Sequence, residues 1–304
     1  MHNLFLHAEH AHEGDFWSAM AHGAVDALKD GLWSLPILFL AYLLMELLER
    51  SKRLDESVLH GYSRKAGPLL GGLLGIVPQC GISGAAATLF STGSITVGTM
   101  LAVFFATSDE MLPILLSALV DKSVPLSRVI WIVAGKAVLG ILLGYLADLL
   151  LRRIIRSGKN IHSFCEREHC ACDEEEGNVF VSALKHTLKI GIMLIGVNFL
   201  LNVLFAWVGT ENLSASFLTA PVIGVIFTAF FGLIPNCSVS VVLTQSYLSG
   251  VIGIGGLFAG LLSNAGIGLL VLLRSNKSHR ENLIITATLF ALSALTGIVL
   301  SILF

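Results

Sequence analysis

The sequence predicts an all-α polytopic membrane protein made of two inverted-topology repeats, each with a broken, re-entrant helix hairpin that meets its counterpart near the bilayer midplane. Composition is the first reason. Hydrophobic residues make up 55% of the chain, charged residues only 13%, and mean hydropathy is +0.81, a balance foreign to a soluble domain of 304 residues. An internal repeat is the second. "GIVPQCGIS", Gly75 to Ser83, returns 157 residues later as "GLIPNCSVS", Gly232 to Ser240. Seven of the 24 positions from Gly75 to Gly98 are identical at that offset, among them Pro78/Pro235, Cys80/Cys237 and Ser83/Ser240. The placement of Lys and Arg is the third.

Apolar segments can be measured against the roughly 20 residues that a helix needs to span a bilayer. The first half offers Gly31–Glu49 (a), Ala66–Phe90 (b), Ile95–Val120 (c) and Pro125–Leu151 (d). The second offers Val179–Val208 (a′), Phe217–Tyr247 (b′), Val251–Leu273 (c′) and Leu283–Phe304 (d′), and the two quartets are read in register at the 157-residue offset. Residues 1–30 form a polar, His-rich N-terminal segment without the marks of a signal peptide, and 152–178 form a polar linker between transmembrane repeats 31–151 and 179–304. A net charge of -2 and the lack of a basic run argue against nucleic acid as a partner.

Short loops rich in Lys and Arg face the cytoplasm. The a–b loop carries Arg50, Lys52, Arg53, Arg64 and Lys65, the linker opens with Arg152, Arg153, Arg156 and Lys159, and the c′–d′ loop carries Arg274, Lys277 and Arg280. These three loops are expected inside, and both termini outside. With the a–b loop inside and d ending inside, b and c together must cross an odd number of times. Two simple spans do not satisfy that count. Segment b is therefore expected to be a hairpin of half-helices, Ala66–Val77 and Gly81–Phe90, turning at Pro78-Gln79-Cys80, while c crosses as a single span. Segment b′ should do the same from outside, turning at Pro235-Asn236-Cys237. Proline lacks an N–H and disfavours helix at the residue before it, which suits such a turn. Taken singly, a Pro-x-Cys element is compatible with mere kinking and close packing, since proline and small residues are common in membrane helices. Its duplication at equal depth favours a functional role.

A second polar group lies within segment c, "ATSDE", Ala106 to Glu110, whose counterpart in c′ is "SNAGI", Ser263 to Ile267. Carboxylates at mid-membrane depth are costly and are functional candidates by default. Asp109 and Glu110, with Ser108, supply charge from one half, and Ser263 and Asn264 supply neutral oxygen from the other. Lys136 in segment d is the available charge partner. The linker adds "HSFCEREHCACDEEE", where His162, Cys165, His169, Cys170 and Cys172 beside acids suit a soft or borderline divalent ion. The N-terminal His2, His7, His10, His12 and His22 fit either a metal-binding tail or a plain polar one.

With "PQCGIS", "PNCSVS" and "ATSDE", the chain resembles the ten-span heavy-metal exporters, often labelled arsenic-efflux proteins, over essentially its whole length. The PxC[GS] element is also similar to the cysteine motif of organoarsenical permeases, which have a further cysteine that both copies here lack. The resemblance implies metal export without naming the metal. No phosphate loop is present, so transport should be secondary or channel-like. The expected function is efflux of a divalent transition or heavy-metal cation, of manganese, iron or zinc type, by proton antiport. The alternative is an arsenite or organoarsenical permease, with a metal channel and a membrane-embedded enzyme ranked lower. The expected transport site combines Asp109, Glu110, Ser108, Gln79, Cys80, Ser83, Asn236, Cys237, Ser240 and Asn264. No tightly bound cofactor is expected, only the transported ion. Partners are metal, protons and lipid, with a homodimer as a compatible assembly. The expected location is the cytoplasmic (inner) membrane of a prokaryote.

Overall fold

The computed structural model describes residues 56–77, 80–107, 111–120, 122–152, 154–155 and 222–303 except 277, with isolated helical positions at 35–36, 39–40, 43, 184, 187–188, 192 and 196. The N-terminal segment, most of segments a and a′ and nearly all of the linker lie outside these residues. Among the described residues every regular element is a helix. In the first half these are α1 (Glu56–Gly75), α2 (Cys80–Ser91), α3 (Val97–Ala106), α4 (Met111–Val120) and α5 (Leu126–Leu151). In the second they are α6 (Ile223–Gly232), α7 (Cys237–Leu248), α8 (Ile254–Ser263), α9 (Ile267–Ser275) and α10 (His279–Leu303). Among the described residues, four stretches have the length and hydropathy to cross a bilayer: Val97–Val120 and Ile254–Ser275, each counted through an interruption, and the continuous Leu126–Leu151 and His279–Leu303. The protein is thus an all-α, multi-pass membrane protein.

The sequence repeat reappears in the helix boundaries. The apolar arm Ala66–Gly75 of α1 corresponds to all of α6, α2 to α7 and α3 to α8, each 157 residues apart. The turns after α2 and α7 are also the same. Ser94 N–H closes on Leu89 O at 2.9 Å and Gly93 N–H on Phe90 O at 3.0 Å; Val251 N–H closes on Ser246 O at 2.9 Å and Gly250 N–H on Tyr247 O at 3.1 Å. This pair of bonds needs a left-handed residue, and Gly93 at φ 83° and Gly250 at φ 77° supply it without a Cβ penalty.

Segment c still counts as one candidate span, Val97–Val120, but not as one continuous helix, because α3 ends at Ala106 with Thr107 as its C-cap and α4 starts at Met111. Segment c′ is likewise interrupted, at Asn264, Ala265 and Gly266. The register of the last pair also differs: α10 begins 153 residues after α5, not 157. The connection before α10 has lost four residues. That is about one helical turn, so the same face of α10 still meets its neighbours.

Packing follows the repeat. α3 lies against α1 and α5, and α8 lies against α6 and α10; α2 packs on α9 of the other half, and α7 on α4. Every substantial pairing has its counterpart on exchange of the halves, and the exchange maps the α3–α8 contact onto itself. Small residues allow the close crossings. A methyl on Gly144 would lie 2.5 Å from Ala102 Cβ, and one on Gly297 would lie 2.5 Å from Ala259 Cβ. Such approach is how membrane helices gain dispersion contact when lipid is as apolar as their own side chains. The α8–α9 stretch is 89% buried, against 33% for α10 and 39% for α5. The interrupted spans therefore form the centre, and the continuous ones the lipid-facing flank.

Asp148, an acid within the apolar run of α5, has a structural role. Its carboxylate accepts Gly98 N–H at 2.8 Å and the Thr96 hydroxyl at 3.0 Å, capping the first turn of α3. Charge-assisted bonds to free N–H groups at a helix N-terminus are stabilising. Its counterpart at the 153 offset is Ser301, which carries no charge. Asp148→Ala should lower stability by about 2 kcal/mol, read as thermal unfolding of the purified protein in detergent; Ser301→Ala should change it far less.

Candidate functional site

The chain directions can be read from close contacts. A methyl at Gly71 would meet Thr99 O at 2.7 Å and Val103 Cγ2 at 3.2 Å, and one at Gly75 would meet Ala106 Cβ at 2.7 Å and Val103 O at 2.9 Å. Partner numbers rise together, so α1 and α3 run parallel and end at one level. α2, which joins them, must bring the chain back to the side from which α1 started. In the second half Thr228 O approaches Gly260, and Gly232 packs on Gly260 O and Ser263 Oγ, so α6 and α8 also run parallel and end together. Between α3 and α5 the numbers run oppositely, with Gly144 over Ala102 and Gly140 over Ala106.

These registers bring the four chain interruptions to one level. The end of α1 lies beside the end of α3, and that of α6 beside that of α8. The first turn of α2 meets the first turn of α9: a methyl on Gly268 would lie 2.8 Å from Ser83 Cβ and 2.7 Å from Phe104 Cε1. Meanwhile Phe258 of α8 packs edge-on against Trp131, with ring centroids 6.0 Å apart, and close to Gly135. Both partners lie on the part of α5 beyond the level at which α3 stops. Carbonyl ends of α1, α3, α6 and α8 and N–H ends of α2, α4, α7 and α9 are thus gathered in the interior.

The polar side chains at this level are deeply buried. Ser83 is 0% exposed, Asn236 2%, Ser240 2%, Asn264 4% and Lys136 1%. Asn264 turns its own chain, accepting Gly266 N–H on Oδ1 at 3.0 Å, and Gly266 adopts φ 53°. Ser263 Oγ donates to Ala229 O at 2.7 Å, tying the end of α8 to α6. Lys136 on α5 donates from Nζ to the carbonyl of Thr107, the cap of α3. Among the predicted site residues, Ser83, Asn236, Ser240, Asn264 and Lys136 are therefore brought to the interruptions. Gln79, Ser108, Asp109, Glu110 and the side chains of Cys80 and Cys237 lie outside the described residues, as do His162, Cys165, His169, Cys170 and Cys172. Sequence reasoning missed the Thr107 carbonyl, which leaves no side-chain signature, and Gly268, whose role is only to let α9 approach Ser83.

Compared with protein-family models, curated proteins and solved structures, the chain has no significant match. The cross-half contact between α2 and α9 can be tested directly. With the native cysteines replaced by serine and a protease site placed in the linker, Ser83→Cys plus Gly268→Cys should cross-link under oxidation and hold the halves together on a denaturing gel after cleavage. The helices need give only about 1 Å to reach disulfide spacing. Ser83→Cys with Gly255→Cys, which packs on α10, should not cross-link.

Proposed function

We propose that the protein is a secondary-active efflux transporter for a divalent transition or heavy-metal cation, coupled to proton uptake. The observation that carries this reading is the meeting of four helix interruptions at one buried level, lined by Ser83, Asn236, Ser240, Asn264 and Lys136. Irregular backbone at membrane depth is tolerated only where protein or a water-filled cavity surrounds it, and secondary transporters bind substrate at such places. Parallel α1 and α3 support re-entrant hairpins. The contact of Phe258 with the far part of α5 supports opposite approach of the two halves, hence inverted repeats and ten spans counting half-helices.

The acids of the proposed site follow Thr107, whose carbonyl receives Lys136, after the single residue Ser108. One ammonium compensates one carboxylate of Asp109 and Glu110, which leaves a single net negative charge for metal or proton. A divalent ion needs such charge to offset its dehydration. Cys80 and Cys237, the first residues of α2 and α7, add soft ligands that would favour later transition metals. Their duplication also favours the second reading, an arsenite permease, although trivalent arsenic prefers three thiolates.

Asp109→Asn should abolish divalent-metal uptake into inside-out vesicles, the in vitro equivalent of export. Cys80→Ser and Cys237→Ser should reduce export several-fold and shift selectivity from zinc or cadmium towards manganese. If Asp109→Asn with Glu110→Gln still carries divalent metal, or if the cysteine changes remove only arsenite resistance, the arsenical reading replaces this one. The linker is proposed to collect metal outside the transport path. Replacing Cys165, Cys170 and Cys172 with serine should weaken the response to low metal while leaving maximal flux nearly unchanged in the same vesicles.

A further inference from the structure

The two interruptions of the central spans are built alike but filled differently. At the first, the carbonyl end of α3 receives a built-in cation, the Lys136 ammonium. At the second, α10 has Leu289 at the position that corresponds to Lys136 at the 153 offset. Oxygen appears where the ammonium is lost. Ala106 is replaced by Ser263 and Gly140 by Ser293, each gaining a hydroxyl, and Thr107 by Asn264, gaining an amide.

Ser293 is the telling residue. It is 0% exposed, and among the described residues its hydroxyl finds no hydrogen-bond partner. An unpaired buried hydroxyl costs about 1–3 kcal/mol. Its place follows from the helix register. Gly297 lies over Ala259, so Ser293, one turn earlier on α10, is level with Ser263 at the end of α8. Gly140 of the first half shows that position directly, over Ala106.

The end of α8 also releases backbone oxygen. In a continuing helix the N–H groups of Ala265 and Gly266 would close on the carbonyls of Leu261 and Leu262. Instead Ala265 N–H goes to Ser263 O at 3.0 Å and Gly266 N–H to Asn264 Oδ1 at 3.0 Å. Two carbonyls at the negative end of a helix dipole thus lose their helical partners beside an unpaired hydroxyl. Among the described residues, helices α6 to α9 carry no acid, and Glu281 lies about 18 Å along α10 from Ser293. Neutral oxygens suit a monovalent ion, whereas a dehydrated divalent ion needs anionic ligands.

We propose that the second interruption binds a monovalent metal cation of sodium size through Ser293 Oγ and the carbonyls of Leu261 and Leu262, where the first half keeps the Lys136 ammonium. The site does not depend on which ion is exported, so failure of the divalent-metal reading leaves it standing. The test is thermal unfolding of the purified full-length protein in sodium, potassium or choline chloride at equal ionic strength. Sodium should raise the midpoint by about 5 °C over choline, and potassium by clearly less. Ser293→Ala should lose the sodium response, yet in choline match or exceed wild type, because it removes an unpaired hydroxyl. Leu289→Lys, which copies the first half, should be indifferent to sodium as well. Equal wild-type midpoints in sodium and choline, the outcome if Ser293 only holds water, would overturn the proposal without any variant; so would an undiminished sodium response in Ser293→Ala, or potassium acting as strongly as sodium.

Discussion

A helix that stops inside a bilayer leaves up to four N–H and four C=O groups without partners, and hydrocarbon cannot supply any. Each group left bare costs several kcal/mol. Eight helix ends in this chain fall at a single level, so the rest of the structure must shield that level from lipid. The arrangement of the other elements follows from this requirement. The interrupted spans occupy the centre, where the α8–α9 stretch is 89% buried, and the continuous α5 and α10 lie outside them. Close crossing of α5 on α3 and of α10 on α8 at Gly144 and Gly297 holds that shield in place.

Duplication supplies the frame, and divergence between the copies supplies the chemistry. Asp148 caps α3, whereas the matching Ser301 has no charge to offer α8. Lys136 meets the Thr107 carbonyl, whereas Leu289 at the matching position brings no charge to the end of α8. One half thus keeps a fixed ammonium beside its interruption, and the other presents hydroxyl and amide oxygen. Two identical halves would bind the same ion twice. Unlike halves present different ligand chemistry at their two interruptions.

Much of this was legible in the sequence, and its omissions have physical causes. The breaks at Pro78 and Pro235 were visible because proline removes a donor and because both copies carry it at equal depth. The break after α3 was hidden: Thr107 to Glu110 contains neither glycine nor proline, and the paired acids drew the reading towards ligands rather than backbone. Gly266, at φ 53°, was an available sign of the matching break. The four-residue slip of α10 lies beyond the last identities of the repeat, and only the match of Gly144 with Gly297 betrays it. Lys136 was readable as a buried charge near the acids. The Thr107 carbonyl to which it donates is main-chain and has no sequence signature, and Ser293 is conspicuous only once its surroundings are known.

Opposed orientation of the two halves is the central claim, and corresponding turns report it most directly. Ser123, exposed in the turn between α4 and α5, and His279, the exposed first residue of α10 after the turn from α9, lie in the corresponding connections of the two copies. Each can be made the single cysteine of a cysteine-free protein and challenged in intact cells with a membrane-impermeant maleimide. Inverted halves require that Ser123→Cys react from outside and that His279→Cys react only after the cells are opened. Labelling of both from the same side would contradict the inverted arrangement and the mid-membrane site built on it.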